Sequence, residues 1–153
     1  MTRRIAWGTL VMLDTGVLVH LAREGDAIGE WVESTYHLSG RGEKVLLATA
    51  VEAEIMAIAR YGNWGHRRLR ELNRMLEELV RVEMDRPAVI EAYAMLYCVA
   101  RREGQAIHDP NQNDLWIAAT AHATGAVLLT QDGDFGFLHP KYIQVECIPT
   151  RLP

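Results

Sequence analysis

Six carboxylates in this chain sit where shared chemistry is possible: Asp14, Glu52, Glu54, Asp114, Asp132 and Asp134. Asp14 follows the apolar run "TLVML", and the two glutamates fall early in "AVEAEIMAIAR", just after "KVLLA". Asp132 and Asp134 follow "AVLLT" in the stretch "LLTQDGDFGFL". Carboxylates that converge repel and raise one another's pKa values unless a cation compensates. Hard divalent cations prefer oxygen donors; Mg²⁺ takes one or two carboxylates and keeps several waters, and Mn²⁺ suits the same donors. A cation held in this way can polarise a phosphodiester, activate a water and stabilise the leaving oxygen. Taken singly, each acid also has an ordinary use. Asp after a strand is commonly a turn residue, Asp114 can cap its helix, and Asp109 before Pro110 reads as a turn. The weight lies in their joint spacing.

The elements that must position these acids alternate almost throughout. Apolar runs predict strands over 9–14, 44–48, 80–84, 126–130 and 142–148. Between them, helical periodicity predicts helices over 15–23, 26–38, 50–60, 66–80, 86–102 and 114–125. Thr15, Thr49 and Asp85 stand at expected N-caps, and Gly104 at a C-terminal stop. Strands interleaved with helices imply an α/β fold with a mainly parallel sheet and helices on both faces. Ligands of such sheets bind beyond the carboxyl ends of the strands. Topology alone puts every acid at that edge except Asp114, which opens a helix feeding a strand.

The chain's 153 residues fit one domain, 1–153, with a real core; 49% hydrophobic and 24% charged residues argue against disorder. The net charge of −4 leaves a nucleic-acid partner open, because clustering of positive charge decides such binding. Cys98 and Cys147, without a CxxC spacing, are expected to be reduced core residues. Arg3-Arg4 before "IAWGTLVML" has the outline of a secretory leader. The apolar stretch is too short to span a membrane and reads better as the first strand, so the expected location is the cytoplasm.

"LDTGVLVHL" with Asp14, "VEAEI" with Glu54, "NDLWIAATA" with Asp114 and "LLTQDGDF" with Asp132 resemble the four acidic motifs of PIN domains. The likeness is strongest to the toxin subunits of VapBC toxin–antitoxin systems and runs in order from residue 9 to about 148. It implies a three-layer α/β/α fold and a Mg²⁺- or Mn²⁺-dependent endoribonuclease acting on RNA. It also implies a homodimer inhibited by a cognate antitoxin. Asp14, Glu54, Asp114 and Asp132 carry over as metal-binding acids, Asp134 as a secondary ligand or turn residue, and Thr130 as a supporting hydroxyl. The choice of Glu54 over Glu52 rests on the Ala-Glu-Ile match alone. One departure concerns the first motif, which usually reads Asp-Thr-Asn; Gly16 stands here instead and gives up a polar contact near Asp14. The stretch 24–44 is also longer than in the most compact toxins.

Other features carry weaker signals. Arg60, Arg67, Arg68, Arg70 and Arg74, beside His66 and Trp64, could contact RNA phosphates, with Trp64 stacking on a base. They equally suit a solvated helix face with Arg67–Glu71 and Arg74–Glu78 pairs, or a protein interface. Val89, Tyr93, Leu96, Tyr97 and Ala100 share a helical stripe that reads as core. His108, in a polar loop, reads as exposed. The competing function is a non-catalytic PIN-like protein or RNA interaction module. A phospho-accepting receiver would need a lysine ending a late strand, where neither Lys44 nor Lys141 lies. A haloacid-dehalogenase-like phosphatase would need an aspartate where Gly16 stands.

Overall fold

Five short apolar runs assemble into one all-parallel sheet. They are β1 (Val11–Leu13), β2 (Val45–Ala48), β3 (Val80–Val82), β4 (Val127–Thr130) and β5 (Gln144–Cys147), in the order β3-β2-β1-β4-β5. This is a computed structural model, and it describes residues 5–105 and 112–153. His108, Asp109 and Pro110 lie outside the described residues. Helices α1 (Thr15–Leu21), α2 (Ala27–Tyr36), α3 (Thr49–Tyr61), α4 (His66–Glu78), α5 (Pro87–Arg102) and α6 (Gln112–Thr124) complete a three-layer α/β/α arrangement. With helices on both faces, every residue of β1 and β2 is buried, which is why these strands are continuous apolar runs rather than alternating ones. Among the described residues no helix is long and apolar enough to cross a membrane.

The expected caps need correction. Asp14, not Thr15, caps α1, its carboxylate accepting from the Thr15 amide. Ala48 precedes α3 with no side-chain cap, and the Thr49 hydroxyl instead accepts from the Met84 amide at 3.3 Å, tying α3 to the end of β3. Arg86 rather than Asp85 precedes α5, where Pro87 makes a side-chain cap less necessary by removing one orphan amide. Gly104, at φ +66°, does end α5 as expected.

Both cysteines are exposed, contrary to the core assignment. The buried stripe of α5 is Val89, Ala92, Leu96, Val99 and Ala100, and Cys98 falls off it. Tyr97 is likewise on the exposed side, whereas Tyr93 is half-buried and stacks on Trp116. Three of the five clustered arginines are engaged. Arg74 pairs with Glu78 at 2.7 Å as expected, but Arg67 reaches Glu24 at 3.2 Å instead of Glu71, and Arg68 covers one face of Trp64 at 3.4 Å.

Within the long 24–44 stretch, one charge is buried. Arg41 is 6% exposed and donates from Nε to the Tyr36 carbonyl at 2.8 Å, from Nη1 to Ala6 at 2.9 Å and from Nη2 to Ile5 at 2.8 Å. The planar fork thus staples the segment before β1 to the turn after α2. Arg41→Ala, which orphans three carbonyls, is expected to cost about 2–3 kcal/mol. Arg41→Lys should recover only part, because an ammonium cannot reach all three carbonyls at once. Urea unfolding midpoints of the three proteins measure this; equal midpoints would refute it.

Strand order decides where a ligand can sit. From β1 the chain moves outward through β2 and β3, while β4 lies on the other side of β1 and leads on to β5. β1 and β4 are therefore neighbours whose connections leave in opposite directions, opening a crevice at their carboxyl ends.

Candidate functional site

The crevice is built on a register. Leu13 pairs with Leu129, and the Asp14 amide donates to the Leu129 carbonyl at 3.0 Å, so Asp14 and Thr130 emerge side by side. The Thr130 hydroxyl, fully buried, donates to Asp14 Oδ2 at 2.6 Å and accepts from the Asp132 amide at 3.0 Å. One hydroxyl thus fixes the side chain of the first acid and the backbone of the next. Asp14 Oδ1 accepts from the Thr15 amide at 2.8 Å, so both its oxygens are held. Beyond Thr130 the chain turns at once: Asp132 Oδ1 accepts from the Asp134 amide at 2.8 Å and opens a 3-10 turn over Gly133–Leu138. Phe135 and Leu138 are buried under that turn and anchor it.

α6 brings Asp114 to the same edge. The helix packs on β4, which it feeds through Gly125 and Ala126 alone, so the two run antiparallel and the first turn of α6 lies at the strands' carboxyl ends. Carboxylate oxygens of Asp114, Asp132 and Asp134 all lie within 4.8 Å of one another, a group that could hold a metal ion.

α3 resolves the choice between its glutamates. Glu52 turns toward β3 and pairs with Arg81 at 2.7 Å. Glu54 turns toward Asp14; its Oε1 is buried with no hydrogen-bond partner among the described residues.

The electrostatics follow from this crowding. Burial raises the Asp114 carboxyl to about 7, helped by the charges of Asp14, Asp132, Glu54 and Asp134. Burial also raises Asp14, with the Thr130 and Thr15 contacts opposing and Asp132 adding to the rise. Glu54 rises through burial and the charge of Asp14, while Thr15 and Asn113 pull the other way. Five acids predicted from sequence therefore feel one another at a single edge. Asn113 and Gln131 border the same site without having been singled out. Their only signal was position, each next to a motif acid.

Solved structures share this architecture. A chain of VapBC2 from Rickettsia felis, solved bound to a DNA fragment from their promoter, is 18% identical, with a TM-score of 0.74 over 92% of this chain and 99% of that one. VapBC-5 from Mycobacterium tuberculosis, of the VapBC toxin–antitoxin family, is 23% identical with a TM-score of 0.62 over 93% and 99%. FitAcB from Neisseria gonorrhoeae is 21% identical with a TM-score of 0.62 over 90% and 96%. No curated protein matches by sequence. At such identities the likeness concerns the fold. A family model of the PIN domain, however, matches residues 11–137, from the first residue of β1 through the turn that holds Asp132 and Asp134, and the chain belongs to the PIN-domain family.

Proposed function

We propose that this protein is a Mg²⁺- or Mn²⁺-dependent endoribonuclease, the toxin of a type II toxin–antitoxin pair. The observation that carries the reading is the convergence of Asp114, Asp132 and Asp134, with oxygens within 4.8 Å, beside Asp14 and Glu54 at the β1–β4 crevice. The donor set fits a hard divalent cation. It is all oxygen, burial and the neighbouring charges together lift Asp114 to about 7, and among the described residues Glu54 Oε1 is a buried acceptor without a donor. When bound, the cation would polarise the phosphodiester and activate water for attack. Asp14, Glu54, Asp114 and Asp132 would hold it, with Asp134 secondary. Thr130 keeps Asp14 and Asp132 at fixed separation, so the acids need no reorganisation on binding.

The structural relatives are toxin–antitoxin complexes, which supports a cognate antitoxin as partner here. A homodimer working in the cytoplasm on RNA completes the reading.

Calorimetry with Mn²⁺, together with cleavage of RNA, tests it on three proteins. Wild type should bind Mn²⁺ and leave 5′-phosphate ends, and EDTA should stop cleavage. Glu54→Gln is expected to lower affinity and cleavage by about 10-fold or more, while Glu52→Gln, already committed to Arg81, stays within about 2-fold. Wild type that binds no Mn²⁺ would overturn the nuclease reading in favour of a non-catalytic interaction module.

A further inference from the structure

The first motif lacks a side chain at position 16, yet the space beside it is taken. A Cβ built on Gly16 would meet Gln131 Oε1 at 3.3 Å, tighter than an ordinary van der Waals contact. The Gln131 amide nitrogen donates to the Pro149 carbonyl at 3.1 Å. That bond settles the orientation of the carboxamide, since a carbonyl can only accept, and it leaves Oε1 as the atom facing Gly16. Gln131 itself lies between Thr130, which holds Asp14, and Asp132. A polar group from the end of β4 thus reaches over the first turn of α1, where residue 16 contributes none.

We propose that Gln131 is a positioning residue of the acidic site, supplying from β4 the fixed hydrogen-bond acceptor that Gly16 cannot supply from α1. Gly16 and Gln131 form a reciprocal pair, small against large, in which one amide serves both positions. A neutral acceptor anchored over the first turn of α1, on the residue between Thr130 and Asp132, matches the donors of a hydrated divalent cation rather than a phosphate oxygen, which is itself an acceptor. Pro149, in the segment after β5, fixes its direction, so no rotamer freedom is lost when the cation arrives. This inference rests on the metal-dependent reading above.

Mn²⁺ calorimetry on wild type, Q131A, G16N and the double variant G16N/Q131A tests it, with melting temperatures recorded alongside. Q131A is expected to weaken Mn²⁺ binding about 3- to 10-fold, the worth of one hydrogen bond, with little change in melting temperature. G16N alone should weaken binding too, because its Cβ displaces Gln131. G16N/Q131A, with an amide at 16 and the space cleared, should return to within about 2-fold of wild type. As a second readout, the NMR side-chain amide signals absent from Q131A should shift in wild type during a Mg²⁺ titration. Losses in G16N and Q131A that simply add in the double variant, unchanged affinity in Q131A, or amide signals that ignore Mg²⁺ would each overturn the role of Gln131 alone. Wild type without Mn²⁺ affinity would remove this inference together with the nuclease reading.

Discussion

Asp114→Asn is expected to abolish Mn²⁺ binding and RNA cleavage together while making the metal-free protein more stable. Loss of groups that merely orient metal ligands costs about 10- to 100-fold, so loss of a ligand should reach about 100-fold or more. The stability gain comes from the same crowding. Burial and four acidic neighbours lift the Asp114 carboxyl to about 7, against about 3.9 for an unfolded chain. Between these values the folded protein holds a proton that the unfolded one has released. Stability therefore falls as pH rises from about 4 to about 7, and above 7 the full penalty is present. Asn never ionises and escapes it. Asp114 is half-exposed, so solvent screening leaves a gain of about 1–2 kcal/mol at pH 8, or about 2–8 °C in melting temperature. Scanning calorimetry in EDTA from pH 5 to 8.5 should show wild type dropping away from the variant. Added Mn²⁺ should then raise wild type alone. Curves that run parallel across this range would contradict the crowding, and a Mn²⁺-dependent rise in the variant would contradict the ligand role.

The place of this acid was legible in the sequence through one further step. A helix that feeds a parallel strand through a short link must run antiparallel to it, and the predicted helix over 114–125 leads straight into the strand at 126–130, so Asp114 belongs at the carboxyl edge, as α6 and β4 show. Strand order was the missing step for the others. Five apolar runs announce a parallel sheet, but which strands flank β1 depends on crossovers that no local pattern encodes. The two glutamates show a second limit. At about 100° per residue, Glu54 projects between Ala50 and Val51, and Glu52 projects beside Ala59. Glu54 thus falls within the buried arc and Glu52 at its edge, but neither angle says which lies toward the other acids. The pairing of Glu52 with Arg81 on β3 and the closeness of Glu54 to Asp14 show which one faces the site. The caps were misread for a related reason: an acid or hydroxyl near a helix start satisfies local propensity, yet Thr49 was drawn to a tertiary partner instead.

Phe135→Ala carries the largest expected loss of stability, and it should take the site with it. The ring is fully buried beneath the turn that begins at Asp132, so truncation leaves a cavity worth about 3–5 kcal/mol. Against a total of roughly 5–15 kcal/mol, that brings the fold near its limit. Among the described residues two side-chain bonds tie the start of the turn to the chain before it, from the Asp132 amide to the Thr130 hydroxyl and from the Asp134 amide to Asp132 Oδ1, and packing of Phe135 and Leu138 holds the rest. Without the ring, Asp132 and Asp134 lose their fixed distance to Asp114, so Mn²⁺ affinity should fall even among molecules that remain folded. Leu72→Ala separates the two effects. Leu72 is equally enclosed but lies on α4, outside the acid site, and its removal should cost about 2–5 kcal/mol while leaving the affinity of the folded fraction intact. Urea unfolding gives the stabilities, and calorimetry at a temperature where both variants are folded gives the affinities. A Phe135→Ala protein that binds Mn²⁺ as wild type does would mean the acids are held by their hydrogen bonds alone, with Thr130 rather than the buried ring setting the geometry.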